Sequence, residues 1–229
     1  MLVDLERNEV VELLPKRDKS YLINYFNKLG GLFCAQIEVF CSDMWEGYLN
    51  MAKQLFKKAT IITDRFHVFA HVQKGVDNCR KSLRRKYKDN DLLKGLKWTL
   101  LKNEQQLTSK EKQQLEQVFK DENFSLLQLT YQAKNTFRAI FQGKHSKKEA
   151  EKLLDDWKQT VESCKIRHLF HFLKTFDKWK DYICNYFECR KTTSPVEGIN
   201  NKIKAIKRRA FGYLCFDNFR RKVLIDFLD

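Results

Sequence analysis

Apolar and polar positions alternate over short stretches at the start of the chain, then change to a helical rhythm that continues almost to its end. LVDLE (2–6) and VVELL (10–14) are short β-branched or leucine-rich runs separated by RNE, which predicts a hairpin without the usual Asn-Gly or Asp-Gly turn. A helix is predicted over 18–29: Asp18 stands at its start, Tyr21, Leu22, Ile23, Tyr25, Phe26 and Leu29 are its apolar positions, and Gly30-Gly31 ends it. AQIEVFCSD (35–43) then reads as a strand ending at a carboxylate, 45–56 as an amphipathic helix, and ATIITD (59–64) as a second strand ending at a carboxylate. Strand, helix, strand with Asp43 and Asp64 at the strand C-termini is the arrangement in which open α/β sheets place ligands.

From 65 to 188 the strand signal disappears, and spacing predicts helices at roughly 65–86, 91–101, 109–119, 123–142, 146–175 and 176–188, with Trp98, Trp157 and Trp179 as core anchors. Both Pro residues lie outside this interval, which suits long uninterrupted helices. The closing block, 189–229, begins with CRKTTSP and continues as a basic helix; residues 190–229 hold ten Lys/Arg against four Asp/Glu, a net +6. Three regions are therefore expected: an α/β part over 1–64, an all-helical part over 65–188, and a basic segment over 189–229.

Composition narrows the function classes. The chain has 229 residues, 43% of them apolar and 13% aromatic, with only 8 Gly and 2 Pro, so it can bury a core and is not a disordered or collagen-like sequence. Forty-four basic residues stand against 29 acidic ones, a formal +15, which predicts attraction to polyanions. Charge alone does not choose between DNA, RNA and anionic lipid. No apolar run reaches the length of a bilayer span, and MLVDLERNEVVELLP lacks a basic-then-apolar signal layout, so a cytoplasmic protein with no membrane partner is expected. Seven scattered Cys predict free thiols; Cys184 and Cys189 are five apart, which misses the usual zinc knuckle.

Three stretches could carry chemistry. Asp43, in Cys41-Ser42-Asp43-Met44-Trp45, is either a rigidly held metal ligand beside an aromatic lid or the N-cap of the helix that follows. Asp64-Arg65-Phe66-His67 places a carboxylate and an imidazole one helical turn apart, with His71 four further on; a helix cap with a polar network and a partial metal site both account for it. Ser194-Pro195-Val196-Glu197 is a strong helix start, with Ser194 as N-cap and Glu197 as its capping-box partner. In the same helix Ile199, Ile203, Ile206 and Ala210 form an apolar stripe and leave Glu197, Asn201, Lys204 and Arg208 on another face. Lys207-Arg208-Arg209 and Arg220-Arg221-Lys222 extend the basic surface, interspersed with Phe211, Tyr213, Phe216 and Phe219, rings that either pack or stack on bases.

SDMWEGY, TDRFHV and VEGINNKIKAIKRRAFGY, followed by FDNFRRKVL, closely resemble the signature of bacterial insertion-sequence transposases of the ISL class. The resemblance covers essentially the whole chain and implies a ribonuclease-H-like catalytic domain with an Asp-Asp-Glu triad, its second Asp matching Asp43 and its Glu matching Glu197. Asp64 and His67 match an accessory network, and residues 65–188 match the helical insertion between second Asp and Glu, LKGLKWTLLKN resembling its Trp-containing helix. The family's first Asp lies on a strand upstream of the one matched by MLVDLE, and Asp4 is not a substitute for it.

The expected fold is therefore an incomplete ribonuclease-H-like mixed sheet lacking its first strand, from an N-terminally truncated chain. The sheet order of that fold would leave the strand pairs 1–5/9–14 and 35–42/59–63 without their shared neighbour. For the complete enzyme the resemblance implies Mg2+ or Mn2+ bound by Asp43 and Glu197, and phosphate contacts from Lys202, Lys204, Lys207, Arg208 and Arg209. Cleavage at transposon ends and strand transfer into target DNA would follow, with room for a homo-oligomer. With one triad member missing, little or no activity is expected of this chain. A non-catalytic basic DNA-binding remnant and a helical structural protein are the alternatives.

Overall fold

The computed structural model describes residues 1–88, 90–191 and 194–227, without the side chains of Ser194 and Pro195. The chain divides into two compact units: one from Met1–Phe66 with Cys189–Asp229, the other His67–Glu188.

In the first unit, β1 (Leu2–Asp4) pairs antiparallel with β2 (Glu9–Glu12). Asp4 makes the turn that RNE alone does not: its Oδ1 accepts the amides of Glu6 at 2.8 Å and Arg7 at 3.2 Å, and Asn8 takes a left-handed φ of 57°. Next come α1 (Lys19–Leu29), α2 (Gly31–Ala35), β3 (Val39–Ser42), α3 (Glu46–Leu55) and β4 (Thr60–Thr63). Asp18 caps α1 by accepting the Tyr21 amide at 2.9 Å. β3 and β4 are parallel, with Cys41 opposite Ile62, and α3 is their crossover. Leu22 and Phe26 of α1 bury against Met51 and Ala52 of α3 and against Phe56, the Phe26 and Phe56 rings meeting edge-on at 4.9 Å.

α11 (Ser194–Arg209) and α12 (Phe216–Asp226) complete this unit. Ile206 and Val223 bury with Leu13, and Arg220 forms a bidentate pair with Glu12 of β2. Arg220 is therefore spent on the fold rather than adding to a basic surface. Ala210, expected on the buried stripe of α11, is exposed because the helix ends at Arg209. Among the described residues the strands form two separate two-stranded sheets, β1–β2 and β3–β4. This is a mixed α/β fold, dominated by helix, with the split sheet of an incomplete ribonuclease-H-like core.

The second unit is helical in its described residues. α4 (Arg65–Lys86) leads into it, followed by α5 (Lys97–Leu101), α6 (Ser109–Lys120), α7 (Ser125–Gln142), α8 (Lys147–Ser163), α9 (Phe170–Cys184) and α10 (Tyr186–Cys189). Phe137 is fully buried at its centre, its ring 4.6 Å from Trp157, 5.1 Å from Phe141 and 5.7 Å from Phe172. The Trp157 indole also donates to Ala133 O at 2.8 Å.

Two expected helices are broken. The 91–101 helix becomes a 3-10 turn (Asp91–Leu93) and α5, separated at Gly95 with φ 71°. The 146–175 helix breaks after Ser163, where Lys165 takes φ 51° and the Ile166 amide returns to Val161 O. Packing explains the second break: on one continuous helix Trp157 and Phe172 would be roughly 22 Å apart, whereas the turn brings their rings to 6.1 Å. Trp157 and Trp179 are core residues, but Trp98 is not. It is 67% exposed, with the Lys97 ammonium 4.5 Å over its ring. All seven cysteines carry free thiols. Among the described residues no helix is long and apolar enough to cross a membrane.

Candidate active site and nucleic-acid interface

Asp43 follows the last residue of β3 and does not cap α3. The capping position belongs to Trp45, whose side chain makes no cap bond. Asp43 instead receives the Trp45 amide on its backbone carbonyl at 2.9 Å, and its Oδ1 is buried without a hydrogen-bond partner. Trp45 folds over the first turn of α3, where a Cβ at Gly47 would overlap its ring, and stands edge-on to Tyr48 at 4.6 Å. The WEG triplet of the sequence is thus a small aromatic shelf beside Asp43. Burial, then the Asp43 charge, raise the Tyr48 hydroxyl above its ordinary pKa, with Arg17 opposing them.

Asp64 follows the last residue of β4 and is 1% exposed, with its amide donating to Ser42 O at 2.8 Å. Burial, with the charge of Asp64 and the nearby Cys189, pushes the Cys41 thiol up to about 12, so Cys41 stays protonated at neutral pH. His67 is exposed on α4, and His71, one turn on, stacks on Phe172 at 6.0 Å. Burial lowers the His71 pKa, with Lys74, His171 and His67 adding to it. The Phe172 contact makes His71 a packing residue of the helical unit.

Glu197 is exposed in the first turn of α11, where the helix dipole favours a carboxylate. Its capping-box pairing with Ser194 lies outside the described residues. Asp43 and Glu197 belong to the same compact unit. Lys204, Lys207, Arg208 and Arg209 are exposed along α11. Lys202 is not as open as they are: its ammonium donates to Asp226 O and sits 4.2 Å over the Phe227 ring. In the helical unit Lys74, Arg84, Arg85 and Lys86 are exposed, but Arg80 is 6% exposed and bonded to Asp77.

Carboxylate oxygens are hard donors of the kind that suit Mg2+ or Mn2+, and Asp43 Oδ1 is buried without a hydrogen-bond partner. Among the described residues no group of three or more His, Cys, Asp or Glu side chains is gathered to hold an ion.

A family profile described as transposase, of the DDE type and ISL3 class, matches residues 1–223. The chain belongs to this family. A transposase for insertion sequence element IS1001 from Bordetella parapertussis is 27% identical over 231 residues, covering 97% of this chain and 55% of that protein. A transposase for insertion sequence element IS1557 from Mycobacterium tuberculosis is 23% identical over 241 residues, covering 93% of this chain and 53% of that protein. The chain thus spans about half the length of the curated relatives it matches. A Lactococcus lactis protein named ATP-dependent protease is 38% identical over 53 residues, but this covers only 23% of the chain and carries no argument about it. No solved structure matches.

Rings were harder to place than charges from the transposase sequence. Tyr213, Phe216 and Phe219 pack against the Leu13, Ile206 and Val223 cluster, while Phe211 and Leu214 are fully exposed. A single signal distinguished Phe211: it precedes Gly212 just past the end of a helix, where a side chain leaves the apolar stripe.

Proposed function

We propose that this chain is part of the catalytic core of a DDE-type transposase, acting in metal-dependent DNA strand cleavage and strand transfer during movement of an insertion sequence. The observation that carries the proposal is Asp43 Oδ1, buried and unpaired at a strand end, at the position matching the family's second Asp. Asp43 and Glu197 would hold Mg2+ or Mn2+, which supply activation of a water or 3′-hydroxyl and stabilisation of the leaving oxygen at phosphorus. Asp43 provides an oxygen fixed by the end of β3, and Glu197 a carboxylate at the positive end of α11. Lys204 and Arg208 lie roughly two and three turns further along the same helix, so a phosphate backbone following α11 would meet cations beyond the carboxylate.

The first Asp of the triad has no match within these 229 residues, so the isolated chain is expected to be silent. The test compares this chain, the chain joined to the amino-terminal part of a full-length relative, and the joined protein carrying D43N or E197Q. Nicking of transposon-end DNA with Mg2+ or Mn2+ is the readout. The joined protein should cleave, and each substitution should lower the rate by at least about a hundredfold, the scale of losing one charge-stabilising group. Unimpaired cleavage by D43N would sink the assignment. Binding of DNA without cleavage by any form would leave the non-catalytic DNA-binding reading.

A further inference from the structure

The end of α11 breaks a packing rule. The Gly212 amide bonds Lys207 O at 3.2 Å and the Phe211 amide bonds Arg208 O at 3.0 Å, the two bonds that close a helix through a left-handed residue. That left-handed residue is Phe211, with φ 51°, where glycine is the usual occupant; Gly212 follows with φ 108°. A β-carbon in this conformation is strained, and the ring recovers nothing by packing, since Phe211 is 101% exposed and Leu214, in the same turn, 111%. Local rules broken without a packing gain mark functional sites.

The surroundings say what the ring faces. Lys204, Lys207 and Arg208 line, with Phe211 and Gly212, one open depression of about 510 Å3. It is shallow and open to solvent, and its wall is cations beside one aromatic face. Lipid headgroups and acidic peptides would satisfy the cations but not the strained ring. Single-stranded nucleic acid satisfies both, because it offers phosphates and unstacked bases at the same spacing.

We propose that the α11–α12 turn is a binding site for an unpaired DNA base, with Phe211 as its stacking platform and Lys204, Lys207 and Arg208 holding the flanking phosphates. Leu214, exposed in the same turn, is suited to wedge against the neighbouring base step. The inference rests on the DNA-binding part of the proposed function, and adds that the DNA is recognised where it is opened rather than where it is fully paired.

The test titrates the chain against two probes of equal length at several salt concentrations: a fully paired duplex, and a forked duplex with 2-aminopurine as the first unpaired base. The chain should bind the fork about tenfold more tightly and quench the 2-aminopurine. F211A should abolish the preference and the quenching while duplex affinity and its salt slope stay unchanged, and F211W should restore both. The triple variant K204A/K207A/R208A should weaken binding to both probes and lower the salt slope by roughly 2–3. F211G separates stacking from folding: glycine accepts the left-handed backbone, so this variant should melt no lower than the parent yet lack the preference. Equal affinity for both probes, or a loss with F211A that is the same on both, overturns the inference and leaves the proposed function standing. Binding to neither probe overturns the DNA-binding reading itself.

Discussion

The helical unit and the strand-bearing unit of this transposase chain are built on different principles. The helical unit is one unbroken stretch of sequence, and its core forms between neighbouring helices, as where Phe137 meets Trp157 and Phe172. The other unit is assembled from two stretches with the whole helical unit between them, and depends on pairings such as Glu12–Arg220, 208 positions apart. Each of its strands has a single partner among the described residues. A core closed by local contacts carries its own stability, whereas strands with open edges need neighbours to satisfy their backbone groups. Damage should therefore stay within the unit where it is made, and conditions should act on the two unequally.

The sharpest way to break that comparison is Trp157→Ala. The ring contacts Phe137, Phe172 and Phe176 and donates to Ala133 O. Its loss should cost about 3–5 kcal/mol, seen as lost amide-exchange protection across α7, α8 and α9 while α11 and α12 keep theirs. Equal loss in both units would show that they fold as one.

Lys134 gives a smaller effect with a distinctive sign. It is 1% exposed, donates to Leu100 O at 2.7 Å and Lys102 O at 2.9 Å, and lies 4.2 Å over the Tyr131 ring. Burial, then the charge of Arg138, lower its pKa to about 7, with Glu104 opposing them. A base with a depressed folded pKa binds fewer protons folded than unfolded between that value and its ordinary one, so stability rises with pH from about 7 towards about 10. The helical unit should gain up to about 1.4 kcal/mol per pH unit in the middle of that window, and Lys134→Met should flatten the rise. Urea melts at pH 7 and pH 9 would check it; an unchanged slope in the variant would assign the effect elsewhere.

Arg220→Ala should give the smallest change, confined to the strand-bearing unit. Burial raises the Glu12 carboxyl, but the Arg220 pair and the Leu13 amide outweigh it and hold its pKa below the ordinary range. Because the folded pKa is depressed, this stabilisation is present above the ordinary carboxylate value of about 4.3 and is lost as pH falls through the folded one. The variant should lose about 1 kcal/mol at pH 7, and its stability should fall less steeply than the parent's on acidification. Denaturant melts followed through α12 exchange would detect a deficit that fails to shrink in acid, which would count against the ion pair as its source.

Part of this architecture was legible in single residues of the sequence. Asp18 announced α1 by its capping chemistry, and the apolar run before Asp43 announced the strand that it follows. The alternative that Asp43 caps α3 was equally open in the sequence; it failed because Trp45 occupies that position and leaves the carboxylate oxygen unpaired. Trp98 looked like Trp157 by helical spacing, and their fates differ because the broken 91–101 segment turns one out to solvent while the α8–α9 turn folds rings around the other.

Hydrophobic period, caps and motif order by themselves determined the helix-rich α/β character, the positions of Asp43 and Glu197 on their elements, and the net positive charge, because each is a property of residues close in sequence or of composition. Tertiary structure alone decided which cations are committed to the fold, as Arg220 and Lys202 are, and which stay open, as Lys204, Lys207 and Arg208 do. It also decided that Tyr213 and Phe219 pack while Phe211 stands out beside those open cations. The physical reason is that partners distant in sequence, such as Glu12 and Leu13, select among chemically similar side chains by where the backbone carries them, and local pattern holds no record of that choice.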